Sequence, residues 1–244
     1  PSAFGGCSVL GPAASADVMP ARPYDVVSFD CYGTLIDWER GIARAFADAA
    51  REDGVTLPLE TLLAAYHDVE PLVQAERYRS YREVLTETAR RLAERLGWRL
   101  APARAGFLAE SLPGWPPFPD TNAALTRLAA AGYRLAILSN VDEDLLAGSR
   151  RHFPVPFDFW VTAQEVGAYK PARPHFDRGR ERVAGRAWLH AAQSHFHDVR
   201  PARALGIPVA WINRRGERPL DGVRPDRELQ DLTALADWLA PAAA

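Results

Sequence analysis

The chain has 244 residues, 48% hydrophobic and 25% charged, which is the composition of a globular protein with a sizeable buried core and excludes disorder, collagen and coiled coil. Twenty-nine Lys and Arg against 31 Asp and Glu leave a formal net charge of −2, so neither nucleic acid nor an anionic membrane has an electrostatic claim and a small-molecule substrate is the expected partner. Two cysteines, Cys7 and Cys31, make no disulfide framework, and no apolar run reaches the ~18–20 residues of a membrane span, so a reducing cytoplasm is the expected location.

Residues Pro1 to Val18 are rich in Ala, Gly, Ser and Pro without periodicity, and the only methionine, Met19, follows them; residues 1–20 read as a flexible leader. The run YDVVSFD from Tyr24 is β-branched and aromatic and stops in the turn CYGT, the pattern of a buried parallel strand ending at Asp30. A helix with Ile42, Ala45, Phe46 and Ala49 on one face follows, and residues 59 to 111 read as helix after helix with no strand pattern between. The segment WPPFPD at 115–120 closes this block, Thr121 to Ala131 is again helical, and Gly132 breaks it before the strand RLAILSN. FWVTAQ (159–164), RAWLHAA (186–192) and IPVAWIN (207–213) are strand-like and alternate with helical segments, giving repeated β-α-β units. The fold expected is a doubly wound α/β core (21–37 and 117–244) carrying an all-helical insertion (38–116) after its first strand, with Trp38, Trp98 and Trp115 filling the seam between the two.

In open parallel sheets ligands bind beyond the carboxyl ends of the strands, so the polar residues that end apolar strands are the site candidates. These are Asp30 with Thr34, then Ser139 and Asn140, then Lys170, and then the stretch from Gln193 to Asp198. A buried carboxylate nucleophile needs hydrogen-bond donors to fix it, a cation to hold it ionised and a route for water, and these positions supply all three. Plainer roles stand beside each: Ser139 and Asn140 as caps of the next helix with Asp142, Lys170 as a loop lysine, and Asp198 as the N-cap of a helix starting at Val199. His190, His195 and His197, alternating on one side of an extended segment, also raise a metal-site reading, although no partner pair of ligands is evident.

FDCYGTL at 29–35, LAILSN at 135–140, YKP at 169–171 and QSHFHD at 193–198 resemble the four motifs of the haloacid dehalogenase superfamily, and the helical insertion resembles that family's cap. The resemblance implies an aspartate nucleophile at Asp30. Phosphatases of the superfamily hold Mg²⁺ with acidic residues where this chain has Tyr32 and Gln193, which favours a branch without metal or other cofactor. FDCYGTLIDWE is most similar to the type II 2-haloacid dehalogenases, which convert an (S)-2-haloacid to the (R)-2-hydroxyacid. By that resemblance Thr34, Ser139 and Asn140 position Asp30 or the substrate, Lys170 supplies positive charge, and Asp198 holds Lys170 and orients or activates the water. Substrate contacts are expected from Tyr32, His67, Glu70, Tyr81, Phe176, Gln193 and His195, and dimerisation through the cap is the family's habit. The chain departs from the pattern in one respect: the type II enzymes carry an Arg early in the cap for the leaving halide, and none stands between Tyr66 and Glu76. Glu70, if it points into the site, would repel both carboxylate and halide, with His67, Arg77 or Arg79 as the substitute cations. A hydrolase of another small acid, a Mg²⁺-dependent phosphatase and a non-catalytic binding protein are the alternative readings.

Overall fold

The computed structural model describes residues 22–241, so the expected leader lies outside the described residues. Six strands form one parallel sheet: β1 (Val26–Phe29), β2 (Arg134–Ser139), β3 (Phe159–Thr162), β4 (Trp188–Ala192), β5 (Val209–Ile212) and β6 (Arg227–Leu229). The spatial order is β3-β2-β1-β4-β5-β6. β1, β4 and β5 are buried along their whole length, as strands covered on both faces must be, which is why they read as continuous apolar runs. The chain builds outward from β1 through β2 to β3 and then returns to β4 on the other side of β1. That reversal opens a crevice beyond the carboxyl ends of β1, β2 and β4.

The helices α1 (Trp38–Glu52), α2 (Leu59–Glu76), α3 (Tyr81–Arg95) and α4 (Phe107–Ser111) all fall between β1 and β2, forming the expected all-helical insertion. α1 buries Gly41, Ile42, Ala45, Phe46, Ala49 and Ala50, a stripe at helical spacing. α3 starts with a capping box in which Ser80 and Glu83 satisfy each other's end of the helix. α2 carries Pro71 inside it, and the missing N–H leaves the carbonyl of His67 without its helical partner. The insertion is tied to the sheet by Asp142, whose carboxylate accepts from the backbone N–H groups of Tyr81 (2.8 Å) and Arg82 (2.9 Å). Asp142 follows β2 and caps a helix of the insertion rather than the helix that begins beside it.

The remaining helices, α5 (Thr121–Ala130), α6 (Glu143–Arg150), α7 (Ala163–Val166), α8 (Pro174–Val183), α9 (Arg200–Ala204) and α10 (Leu232–Leu239), flank the sheet. β6 has no counterpart in the sequence reading because it is a three-residue edge strand with Arg227 and Glu228 exposed, too short and polar to show a period. Trp38 and Trp115 do line the crevice under the helices. Trp98 does not: its ring packs on Phe46 and Phe107 and its indole N–H bonds Asp53, so it is a core residue of the insertion itself. No helix among the described residues is long and apolar enough to cross a membrane.

At Gly41 the backbone of α1 lies directly on the Trp115 indole, and an added Cβ would overlap the ring. Alanine would favour the helix by about 1 kcal/mol, whereas forcing the indole aside costs about 1–3 kcal/mol, so overpacking wins. Gly41→Ala is therefore expected to lower the denaturant midpoint without changing the slope of the transition, and a variant as stable as the parent would show that Trp115 yields freely.

Candidate active site

Asp30 follows β1 directly, and the turn after it passes through Gly33 at φ +100°, a left-handed conformation that glycine adopts without strain. The turn brings Thr34 back under the carboxylate, where its hydroxyl donates to Asp30 Oδ2 at 2.9 Å while accepting from the Gln193 N–H at 2.9 Å. Lys170, only 2% exposed, spends all three ammonium protons: on Asp30 Oδ1 (2.9 Å), Asp198 Oδ1 (2.6 Å) and the carbonyl of Leu138 (2.8 Å). Asn140 holds the Lys170 backbone with both ends of its amide, accepting from the Lys170 N–H at 2.7 Å and donating to its carbonyl at 3.1 Å. The side chain of Asn140 thus positions Lys170, and the second hydrogen of its amide is left over at the cavity lining.

Asp198 is held from the other side by β4. The Trp188 indole donates to Ser28 Oγ (2.7 Å), Ser28 Oγ lies 2.8 Å from His190 Nδ1, and His190 Nε2 lies 3.0 Å from Asp198 Oδ1. With Trp188 donating to Ser28, the serine proton goes to Nδ1, which leaves Nε2–H to donate to Asp198. Two polar atoms of the site remain buried without a protein partner, Ser139 Oγ and Asp198 Oδ2.

These contacts set the two carboxylates apart. Burial is the largest influence on Asp30 and, with the charge of Asp198, pushes it above its ordinary value against the pull of Lys170 and Thr34. Burial acts upward on Asp198 too, but Lys170 and His190 outweigh it and hold Asp198 well below the carboxylate range. Lys170 is driven down by burial and raised by Asp198 and Asp30, which prevail. The result is a carboxylate of raised basicity, Asp30, beside one that stays ionised.

Above this floor is a cavity of about 500 Å³, walled by Trp38, Tyr66, His67, Glu70, Gln74 and Tyr81 of the helical insertion. Of the residues expected from sequence, Asp30, Tyr32, His67, Glu70, Tyr81, Ser139, Asn140, Lys170, Gln193, His195 and Asp198 line it, and Thr34 sits beneath Asp30. Phe176 is the exception: it is fully buried at the start of α8, edge-on to the His190 ring with centroids 5.7 Å apart, and belongs to the core on the α8 face of the sheet rather than to the cavity. The helix-cap readings of Ser139, Asn140 and Asp198 are replaced by the contacts above, and Ser194 is the cap of the turn that contains Asp198. The histidines are spent separately: His190 on Asp198, His195 on the Val223 carbonyl, His197 on Ser194. Among the described residues no cluster of three or more His, Cys, Asp or Glu is disposed to hold a metal ion.

Arg77 and Arg79, the substitute cations expected from sequence, are not in the cavity wall, and Arg79 pairs with Glu76. The cations missed are Arg215 and Arg218, in the loop after β5, and the rule that strand-following loops line the site would have reached them. Arg215 pairs with Glu39 of α1 and lies over the Trp38 ring. Glu70 is 9% exposed and bonded to Gln74, and burial, only partly offset by the bonds from Gln74 and Tyr81, raises its carboxyl to about 7.

A parallel sheet with its strand-order switch beside the Asp30-bearing strand and a helical roof over the crevice is the plan of a doubly wound α/β protein with a covered site. The chain belongs to the haloacid dehalogenase-like hydrolases, whose family model matches residues 24–205. It is 29% identical over 224 residues to the (S)-2-haloacid dehalogenase H-109 of Pseudomonas putida, covering 89% of this chain and 99% of that one. The (S)-2-haloacid dehalogenase of Pseudomonas sp. (strain YL) is 27% identical over 224 residues, 89% and 95% of the two chains. Among solved structures, the L-2-haloacid dehalogenase of Xanthobacter autotrophicus with chloropropionic acid covalently bound superposes with a TM-score of 0.76 at 20% identity, over 90% of this chain and 100% of that one.

A carboxyl raised from 4.5 to about 7 by burial contributes stability that is complete below its unfolded value and lost as pH rises through 7. Glu70→Gln removes that loss, so the variant is expected to exceed the parent by roughly 3 kcal/mol at pH 8 and by almost nothing at pH 4. Urea unfolding at the two pH values measures the difference, and equal offsets at both would mean that Glu70 is not buried as a neutral acid.

Proposed function

We propose that the chain hydrolyses (S)-2-haloacids to 2-hydroxyacids of inverted configuration through an ester on Asp30. The observation that carries this reading is the environment of Asp30: a buried carboxylate of raised basicity, clamped by Lys170 and Thr34 and facing a cavity. The curated relatives that match along most of the chain, named as (S)-2-haloacid dehalogenases, support it.

In the first step an Asp30 oxygen attacks the α-carbon, the carbon–halogen bond breaks, and the halide leaves with the bonding pair. Desolvation favours this step, because a carboxylate stripped of water and held by two donors presents its free lone pairs without first shedding a hydration shell. Attack from the face opposite the leaving group inverts the carbon. In the second step water adds to the Asp30 carboxyl carbon, and Lys170 stabilises the charge that develops on the oxygen it touches. The acyl–oxygen bond then breaks with its pair on the hydroxyacid oxygen, which takes one proton of the added water while the other is lost to solvent, and Asp30, again a carboxylate, keeps one oxygen from water. Asp198 is too acidic to be a strong base, so its role is to hold Lys170 and, through its unpartnered Oδ2, to orient the attacking water. Ser139 Oγ, buried and unpartnered on the same floor, is the donor available to the substrate carboxylate.

Chloride release from (S)- but not (R)-2-chloropropionate, with (R)-lactate as product and no loss in EDTA, is the expected result. Asp30→Asn is expected to fold with a thermal midpoint no lower than the parent's, since it removes one negative charge from a buried set of two carboxylates and one ammonium, and to release no halide. A single turnover in ¹⁸O water should place the label in Asp30 rather than in the product, and label found first in the hydroxyacid would exclude the ester.

A further inference from the structure

Asp30 attacks from the floor of the cavity, so an in-line displacement drives the leaving group away from the sheet, toward the wall supplied by the helical insertion. That wall must receive an anion, yet it contains no uncommitted cation among the described residues. His67 stacks on Trp38 and lies 3.6 Å from Glu39, Arg215 is paired with the same Glu39, and Lys170 is consumed on the floor. Arg218 is exposed. What the buried part of the wall offers is a set of uncharged donors clustered around one carboxyl. Gln74 bonds Glu70 from the next turn of α2, Tyr81 reaches it from the start of α3, and the Tyr66 and Tyr81 hydroxyls lie 3.5 Å apart. No cation pairs with Glu70 among the described residues.

We propose that Glu70, as a neutral acid, is the specificity-determining residue that receives the group displaced by Asp30, donating its carboxyl hydrogen as a hydrogen bond to the departing anion. The inference rests on the dehalogenase reading above for the identity of that anion. No proton is transferred: the halide leaves with the bonding pair, and Glu70 keeps its hydrogen while the anion accepts from it. A neutral donor in a dry pocket stabilises a developing negative charge without the desolvation cost of a buried cation. Ionisation reverses its effect, because a carboxylate in the same place repels both the substrate carboxylate and the halide. The groups facing Glu70 do not compensate such a charge. They are Tyr66, His67 and Gln74 on its own helix, Tyr81 on α3 and Tyr169 in the loop before Lys170, and burial raises all three phenols. Glu70 itself is raised to about 7, which places the reversal within a measurable range.

The test uses (S)-lactate, an inert ligand whose hydroxyl stands where the halogen would be, with binding followed by calorimetry from pH 5.5 to 9 in the parent, Glu70→Gln and Glu70→Leu. The parent's dissociation constant is expected to rise about tenfold per pH unit above 7, as for one ionisation that must be reversed before binding. Glu70→Gln keeps an amide donor and all of the histidines, and its affinity is expected to be flat over the same range. Glu70→Leu, without a donor, is expected to be flat and at least tenfold weaker than Glu70→Gln. The kcat/KM profile for (S)-2-chloropropionate should show the same alkaline limb in the parent and lose it in Glu70→Gln, which a merely structural glutamate would not produce. An alkaline limb that persists in Glu70→Gln, or a parent profile flat through pH 9, overturns the proposal. If no 2-haloacid releases halide but the Glu70-dependent limb in lactate binding is present, the dehalogenase reading fails alone, and Glu70 receives whatever other group Asp30 displaces.

Discussion

An ammonium ion with almost no access to water is the constraint around which this molecule is arranged. Lys170 cannot be buried as a charge unless its three protons and its charge are answered, and the answers come from three strands. Asp30 follows β1, the Leu138 carbonyl is in β2, and Asp198 lies in the turn after β4. Those three strands are neighbours in the sheet, and their carboxyl ends converge where the strand order reverses. Guanidinium could not replace it, because a planar fork does not fit three acceptors placed around one nitrogen. The buried set carries one net negative charge when all three groups are ionised, and a folded protein retains such an arrangement at a cost in stability.

The same constraint separates two chemically identical side chains. Asp30 and Asp198 both bond Lys170, but Asp198 also has His190, anchored through Ser28 and Trp188 inside β4, whereas the second oxygen of Asp30 has only a threonine hydroxyl. The surplus negative charge therefore resides at Asp30, whose basicity is raised. Environment, not residue type, sets the basicity of the two carboxylates apart.

The sheet was legible because a parallel strand buried on both faces is written as an uninterrupted apolar run, and the polar residue that ends each run marks the crevice. Asp30, Ser139, Asn140, Lys170 and Asp198 were all found by that rule. It fails where the burial is different: β6, an exposed edge, has no apolar run, and Phe176 sits in a helix whose inward face packs on the sheet, which its spacing to Lys170 does not reveal. Sequence position alone does not show that Asn140, which lines the cavity, also brackets the backbone of Lys170. Asp142 was read as a local cap, and its true partner is the first turn of α3, sixty residues away in the chain. Contacts between elements distant in sequence leave no periodic trace, and the pairing of insertion to core is made of such contacts.

Glu70 shows how the missing arginine of the family pattern is compatible with anion chemistry. Ionised, it would oppose the proposed reaction; in its buried setting, with no cation paired to it among the described residues, its carboxyl is raised to about 7, so the protonated form prevails below that pH. The positive charges of the cavity are then distributed by depth. Lys170 is locked on the floor, and Arg215 and Arg218 lie in the loop beyond β5, exposed to solvent. Between them the wall is uncharged but rich in donors, so an anion crossing it trades water for hydrogen bonds without meeting a fixed charge that would hold it. A leaving group that must depart after each turnover is better served by such a wall than by a buried cation, because a strong ion pair formed on departure would itself have to be broken before the next substrate enters.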